Sequence, residues 1–148
     1  MLFRSERKAL FHKVSSWNPD LFTIIEPNCS TFTDQFETRL YNAAEHFNAL
    51  YNFTDTLELK PEEKRTLKMF FSNDFFDPLA LPEAHRFEKL ERAEQWIDYG
   101  DQVGFRPFAL DEWAKPIQIR EIQITGKPHP FINFNYRGVD LLAMIALN

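Results

Sequence analysis

"FTDQFETRLYNAAEHFNALYN", Phe32 to Asn52, decides how this chain is read. Phe32, Phe36, Leu40, Ala43, Phe47 and Leu50 recur at spacings of 4, 4, 3, 4 and 3. Side chains three and four residues apart stack on one side of an α-helix, so the spacing predicts one long helix with this stripe in the core. Thr31 is placed to cap it, and Asp34 and Glu37 suit the positive end of the helix dipole.

Toward the N-terminus, Phe3, Leu10, Val14 and Trp17 share one helical face, and Asn18-Pro19-Asp20 ends that helix. "LFTIIE", residues 21–26, is apolar and partly β-branched and reads as a short buried strand stopped by Pro27-Asn28. Toward the C-terminus, Pro61 followed by Glu62 and Glu63 opens another helix, with Leu67, Phe70 and Phe71 turned inward. Ser72-Asn73-Asp74 is expected to break it, and Asp77-Pro78 to start a short helical turn. A further helix is expected over 82–99, with Ala84, Phe87, Leu90, Ala93 and Ile97 inside and Gly100 as its stop.

After Gly100 the period changes. "QVGFRPF", "KPIQIREIQIT" and "FINFNY" read as strands. Ile117 and Ile119 have one parity and Ile122 and Ile124 the other, which calls for a β-bulge near Arg120-Glu121 or for a strand covered on both faces. "VDLLAMIAL" reads as a short closing helix or buried tail. The expected fold is α+β in a single domain, 1–148: a predominantly helical N-terminal two-thirds on a small C-terminal antiparallel meander with a closing helix.

Composition narrows the function classes. There are 16 Phe but only 4 Gly, where average usage of about 7% would give roughly ten. No glycine-rich phosphate loop is present, nor a Gly-x-Ser-x-Gly elbow. The four histidines, His12, His46, His85 and His129, form no metal motif. No metal and no cofactor are therefore expected. Cys29 has no partner for an internal disulfide, which favours a reducing compartment, and a cytoplasmic location is expected. Its place before the long helix also allows a thiolate nucleophile if a histidine meets it, against the plainer role of a small buried residue.

Charge is unevenly spread. Residues 1–13 hold Arg4, Arg7, Lys8 and Lys13 against Glu6, whereas 74–101 hold eight acids against three bases, a balance equal to the whole chain's −5. The basic start is too short for a nucleic-acid face, and no stretch approaches the ~20 apolar residues of a membrane helix. Neither nucleic acid nor membrane is expected as a partner. The acidic block and its aromatics instead suggest a small non-catalytic protein of inhibitor, immunity or accessory type. Its partner would be a protein with a basic surface, met by Phe75, Phe76, Asp77, Glu91, Glu94, Asp98 and Trp113. The alternative is a small enzyme or ligand-binding domain with a Phe-lined pocket closed by His46, His85 and Glu121.

The long-helix stripe makes Phe47 a core residue. Phe47→Ala should cost roughly 3–5 kcal/mol in chemical denaturation, and a loss below about 1 kcal/mol would place the stripe in solvent.

Overall fold

A computed structural model describes residues 4–81, 85–86, 89–110, 117–126 and 130–148. The elements are α1 (Arg4–Ser16), β1 (Phe22–Pro27), α2 (Phe36–Thr56), α3 (Pro61–Ala80), α4 (Ala93–Asp101), β2 (Ile117–Ile119), β3 (Ile122–Thr125), β4 (Ile132–Tyr136) and β5 (Val139–Leu147). The strands form one antiparallel sheet in the order β1-β5-β4-β3-β2. The α+β class expected from the sequence is what the chain adopts.

The closing helix is not. Residues 139–147 are β5, the strand between β1 and β4. Leu, Ala and Met are good helix formers, but here the backbone finds a ladder on both sides. β1 pairs along it from Phe22 opposite Leu147 to Pro27 opposite Leu142, and β4 from Ile132 opposite Met144 to Tyr136 opposite Val139. A strand paired on both edges and largely buried, Leu142 apart, reads as a continuous apolar run, so the period of 2 is hidden. The turn into it is Arg137-Gly138, both left-handed with φ of 49° and 90°, as a two-residue hairpin of primed type needs.

The parity change between Ile119 and Ile122 also has a different cause. Arg120-Glu121 is the turn of a hairpin, with Ile117 opposite Ile124 and Ile119 opposite Ile122. A two-residue turn brings paired positions to the same face without any bulge, and Arg120 takes the left-handed φ of 55° it requires. The sheet's irregularity lies instead between β4 and β5, where the register shifts between Phe134 and Asn135 and leaves Leu141 as the extra residue.

The two faces of the sheet carry different cores. Phe22, Ile24, Ala143, Ile145 and Leu147 pack against Phe11 and Val14 of α1 and Ala93, Trp96 and Tyr99 of α4. Leu142 pairs with Phe134 and Phe134 with Ile124, so by alternation these lie on the opposite face. There α2 packs through Ala49, Leu50 and Phe53 onto Ile122, Tyr136 and Leu141. Gly100 lies inside α4 rather than ending it, because Leu147 and Phe11 come so close that an added Cβ would sit 2.8 Å from Leu147 Cδ1. The expected strand over "QVGFRPF" is reduced to a single bridge from Pro107 to Leu147, flanked by hydrogen bonds of Arg106 with Asn148 and of Phe108 with Ala146.

Several helix boundaries moved for one kind of reason: a distant partner outbid the local period. Thr31 does not cap α2, which starts at Phe36. Its hydroxyl and N–H bond the N–H and carbonyl of Leu90 instead. That pairing keeps residues 89–92 out of a helix, so α4 begins only at Ala93, eleven residues after the expected start at Pro82. Residues 82–84, 87 and 88 lie outside the described residues. Asn28 fastens the same junction, accepting from the Ala93 N–H at 3.1 Å and donating to Asn133.

Glu91 sits at the centre of this junction. It is buried and accepts from the Arg7 guanidinium on α1, and the Tyr99 hydroxyl lies 2.9 Å from both its oxygens. Arg7 also donates to the Lys89 carbonyl and stacks 4.7 Å from the Trp96 ring centroid. The α1 face that enters the core is thus Arg7, Phe11 and Val14, while Trp17, expected inside, is exposed. Phe3 lies outside the described residues. Arg7→Met should destabilise the chain by about 3–5 kcal/mol, because it strands a buried carboxylate, and the double variant Arg7→Met/Glu91→Leu should recover most of that loss in urea unfolding.

Candidate interaction surface

α2 and α3 form an antiparallel hairpin, joined across their length by Arg39 Nε to the Pro78 carbonyl at 3.1 Å and by Lys68 to Asp55 at 2.6 Å. Pro61 occupies the first turn of α3, and the Lys60 N–H donates to the Glu63 carboxylate at 2.8 Å. The expected break at Ser72-Asn73-Asp74 does not occur. Phe71, Phe75 and Leu79 continue the stripe at spacings of four against Ala43 and Phe47. Ser72 satisfies its hydroxyl on the Met69 carbonyl, so it costs the helix little.

This continuity turns alternate aromatics outward. Phe75 meets the Phe47 ring edge-on at 5.6 Å, while Phe76 is 59% exposed. Phe70, expected in the core, is 69% exposed, because a helix one turn deep in its neighbour can bury Phe71 or Phe70 but not both. On α2 the buried side is Arg39, Ala43, His46, Phe47 and Ala49, so Phe36 and Leu40, also expected inside, are exposed. Six large apolar side chains of the hairpin, Phe36, Leu40, Tyr41, Met69, Phe70 and Phe76, are 41% to 69% exposed.

The acids named from the sequence fall into separate places. Asp77 is half-buried on α3 beside Phe76. Glu94 and Asp98 are exposed one turn apart on α4 and border a crevice with Ser30 and Phe32. Glu91 leaves the group entirely: the Arg7 pair holds it inside. Trp113 lies outside the described residues, as do Glu83 and Glu88. The six exposed apolar groups were only partly legible. Their exposure depends on which side of each helix is covered, and the period cannot say that when several aromatics run together.

The polar groups of the alternative reading are not brought together. His85 is exposed in the segment between α3 and α4, and Glu121, in the β2–β3 turn, is ion-paired with Arg137 at 2.6 Å. His46 alone borders a Phe-lined cavity, formed in part by Phe47, Phe53, Phe71 and Phe134. Cys29 is buried, its thiol 3.5 Å from the Asn42 carbonyl, and burial pushes its pKa up to about 12. A thiol so held stays neutral, which argues against a nucleophile.

Residues 2–121 match the GRAS domain family, and the chain belongs to that family. It is 30% identical over 105 residues to Scarecrow-like protein 1 of Arabidopsis thaliana, covering 70% of this chain and 18% of that protein. It is 24% identical over 108 residues to Scarecrow-like protein 21 of the same plant, covering 72% of this chain and 26% of that one. The crystal structure of SCL7 in Oryza sativa superposes with a TM-score of 0.80 at 18% identity, over 95% of this chain and 42% of that chain, which shows a shared fold. The chain therefore spans about a fifth to a quarter of the length of these two Arabidopsis relatives.

His46 gives the site a pH signature. Its Nδ1–H donates to the Asp140 carbonyl at 3.2 Å, and burial lowers its pKa from 6.5 to about 4. Between these values the unfolded chain takes up a proton that the folded one refuses, so stability falls as pH drops through this window and is fully present above pH 6.5. The span is worth up to about 3 kcal/mol at 1.36 kcal/mol per pH unit. Burial raises the carboxyls of Glu26 and Asp74, and these act in the opposite sense. Urea unfolding at pH 7 and pH 5 should show a loss of stability in the wild type that His46→Gln removes.

Proposed function

We propose that this chain works by protein–protein contact, as a non-catalytic docking part of a GRAS-type regulator, with the α2–α3 hairpin as its contact surface. The exposed apolar side chains of the hairpin carry the reading. Single exposed apolar groups are ordinary, but six on one helical pair, four of them Phe or Tyr, are the composition of an interface core. Family members act through protein contacts in transcription regulation, which supports it. Asp77 beside Phe76, and Glu94 and Asp98 on α4, would favour a partner with a basic rim. An inhibitor or immunity role is one form such contact could take. The N-terminal basic stretch supports nucleic acid or membrane even less than expected, because Arg7 is spent inside the fold. No helix among the described residues is long and apolar enough to cross a membrane. The cytoplasmic placement widens to any reducing compartment, including the nucleus, where regulators of this family generally act.

Phe70→Ser/Phe76→Ser should leave the melting temperature within a few degrees of wild type and should lose the partner recovered by affinity capture from the native host. Undiminished recovery of that partner by the folded variant would remove the hairpin as the contact surface. With the partner in hand, Glu94→Lys/Asp98→Lys should slow association at low salt and much less at high salt.

A further inference from the structure

Between the α2–α3 hairpin and the sheet lies a cavity of about 540 Å³. It exists because α3 packs chiefly on α2, while α2 packs on the sheet through Ala49, Leu50 and Phe53. The wedge left between α3 and β3–β5 is walled by Leu50, Phe53, Phe71, Ile124, Phe134 and Leu141. Among the described residues its polar lining is three side chains: His46, Asp74 and Arg120.

We propose that this cavity is a binding site for a small, uncharged, mainly apolar molecule carrying a hydrogen-bonding group. The volume falls in the range of small-molecule sites, roughly 300–1,000 Å³. Leu142 in its lining is 40% exposed, so the space opens to solvent and a ligand can enter. Its apolar walls offer ordered water few of the two to four partners it needs. The few polar groups decide the ligand's charge. An anion would face Asp74 and a cation would face Arg120, whose guanidinium is already bonded to the Thr56 carbonyl at 3.3 Å and paired with Glu58 at 3.4 Å. His46 spends Nδ1–H on Asp140, which leaves Nε2 of the neutral ring as an acceptor for a hydroxyl or amide N–H. The low His46 pKa and the raised Asp74 pKa agree with a site that resists holding charge. This site is independent of the exposed apolar side chains of the hairpin and does not rest on the docking role.

The test uses the 148-residue chain and the neutral fluorophore N-phenyl-1-naphthylamine. A blue-shifted, saturable signal with one site per chain and a rise in melting temperature is expected. Leu50→Trp and Ile124→Trp, on opposite walls, should each fill the cavity and weaken binding by roughly tenfold or more while the far-ultraviolet circular dichroism is kept. Two variants are used so that a folding failure in one leaves the other to decide. Phe70→Ser/Phe76→Ser, at exposed positions of the hairpin, should leave the affinity unchanged. The proposal is overturned by no binding up to about 1 mM probe, by a signal that does not saturate, by binding lost in the Phe70/Phe76 variant, or by full affinity in a folded cavity-filled variant.

Discussion

Arg7 and Glu91, 84 residues apart in the chain, meet inside the protein, and the arrangement of its N-terminal and central parts hangs on that meeting. A buried ion pair adds little net stability by itself, because both charges give up their water. What it does is restrict the alternatives. Arg7 can stay inside only with an acid beside it and with its guanidinium over Trp96. Glu91 can stay inside only with Arg7 and Tyr99 as donors. Satisfying both places α1 on α4 and fixes the segment before α4 as a non-helical strap.

Thr31 and Asn28 extend this logic with uncharged groups. Thr31 spends its hydroxyl and N–H on Leu90, and Asn28 bridges β1, the first turn of α4 and β4. Each is a small side chain that could have capped a local helix or closed a local turn. Each is instead used across the fold, where a buried donor left unpaired would cost more than a missing cap. The strap, the start of α4 and the end of β1 therefore form as one unit, which holds the α1/α4 core on one face of the sheet.

The other face is built more loosely. α2 meets the sheet through Ala49, Leu50 and Phe53, and α3 meets mainly α2, so α3 stands away from β3 and β4. Two properties come from this one geometry. Its inner side leaves the Phe-lined cavity, and its outer side leaves aromatics in water, because a helix supported on only one side has only one stripe to bury.

The amino-acid sequence determined those elements whose local period matched their final burial. α2 was legible from Ala43, Phe47 and Leu50, β1 from "TIIE", and the α+β class from the change of period after Gly100. The site was legible only in pieces. Phe76 and Asp77 were visible as an aromatic beside an acid, and a Phe-lined pocket could be expected from composition, but not its position. Only the tertiary structure decided the rest. It made "VDLLAMIAL" a strand, because both its edges found partners in β1 and β4. It kept 89–92 out of a helix, because Thr31 was there to pair with Leu90. It turned Glu91 from a surface acid into a core residue, because Arg7 arrived from the other end of the chain. Periodicity reports which side of an element is apolar. Which groups stand opposite is a matter of contacts far apart in sequence, and these decide whether a charge, a hydroxyl or an aromatic ring ends inside or in water.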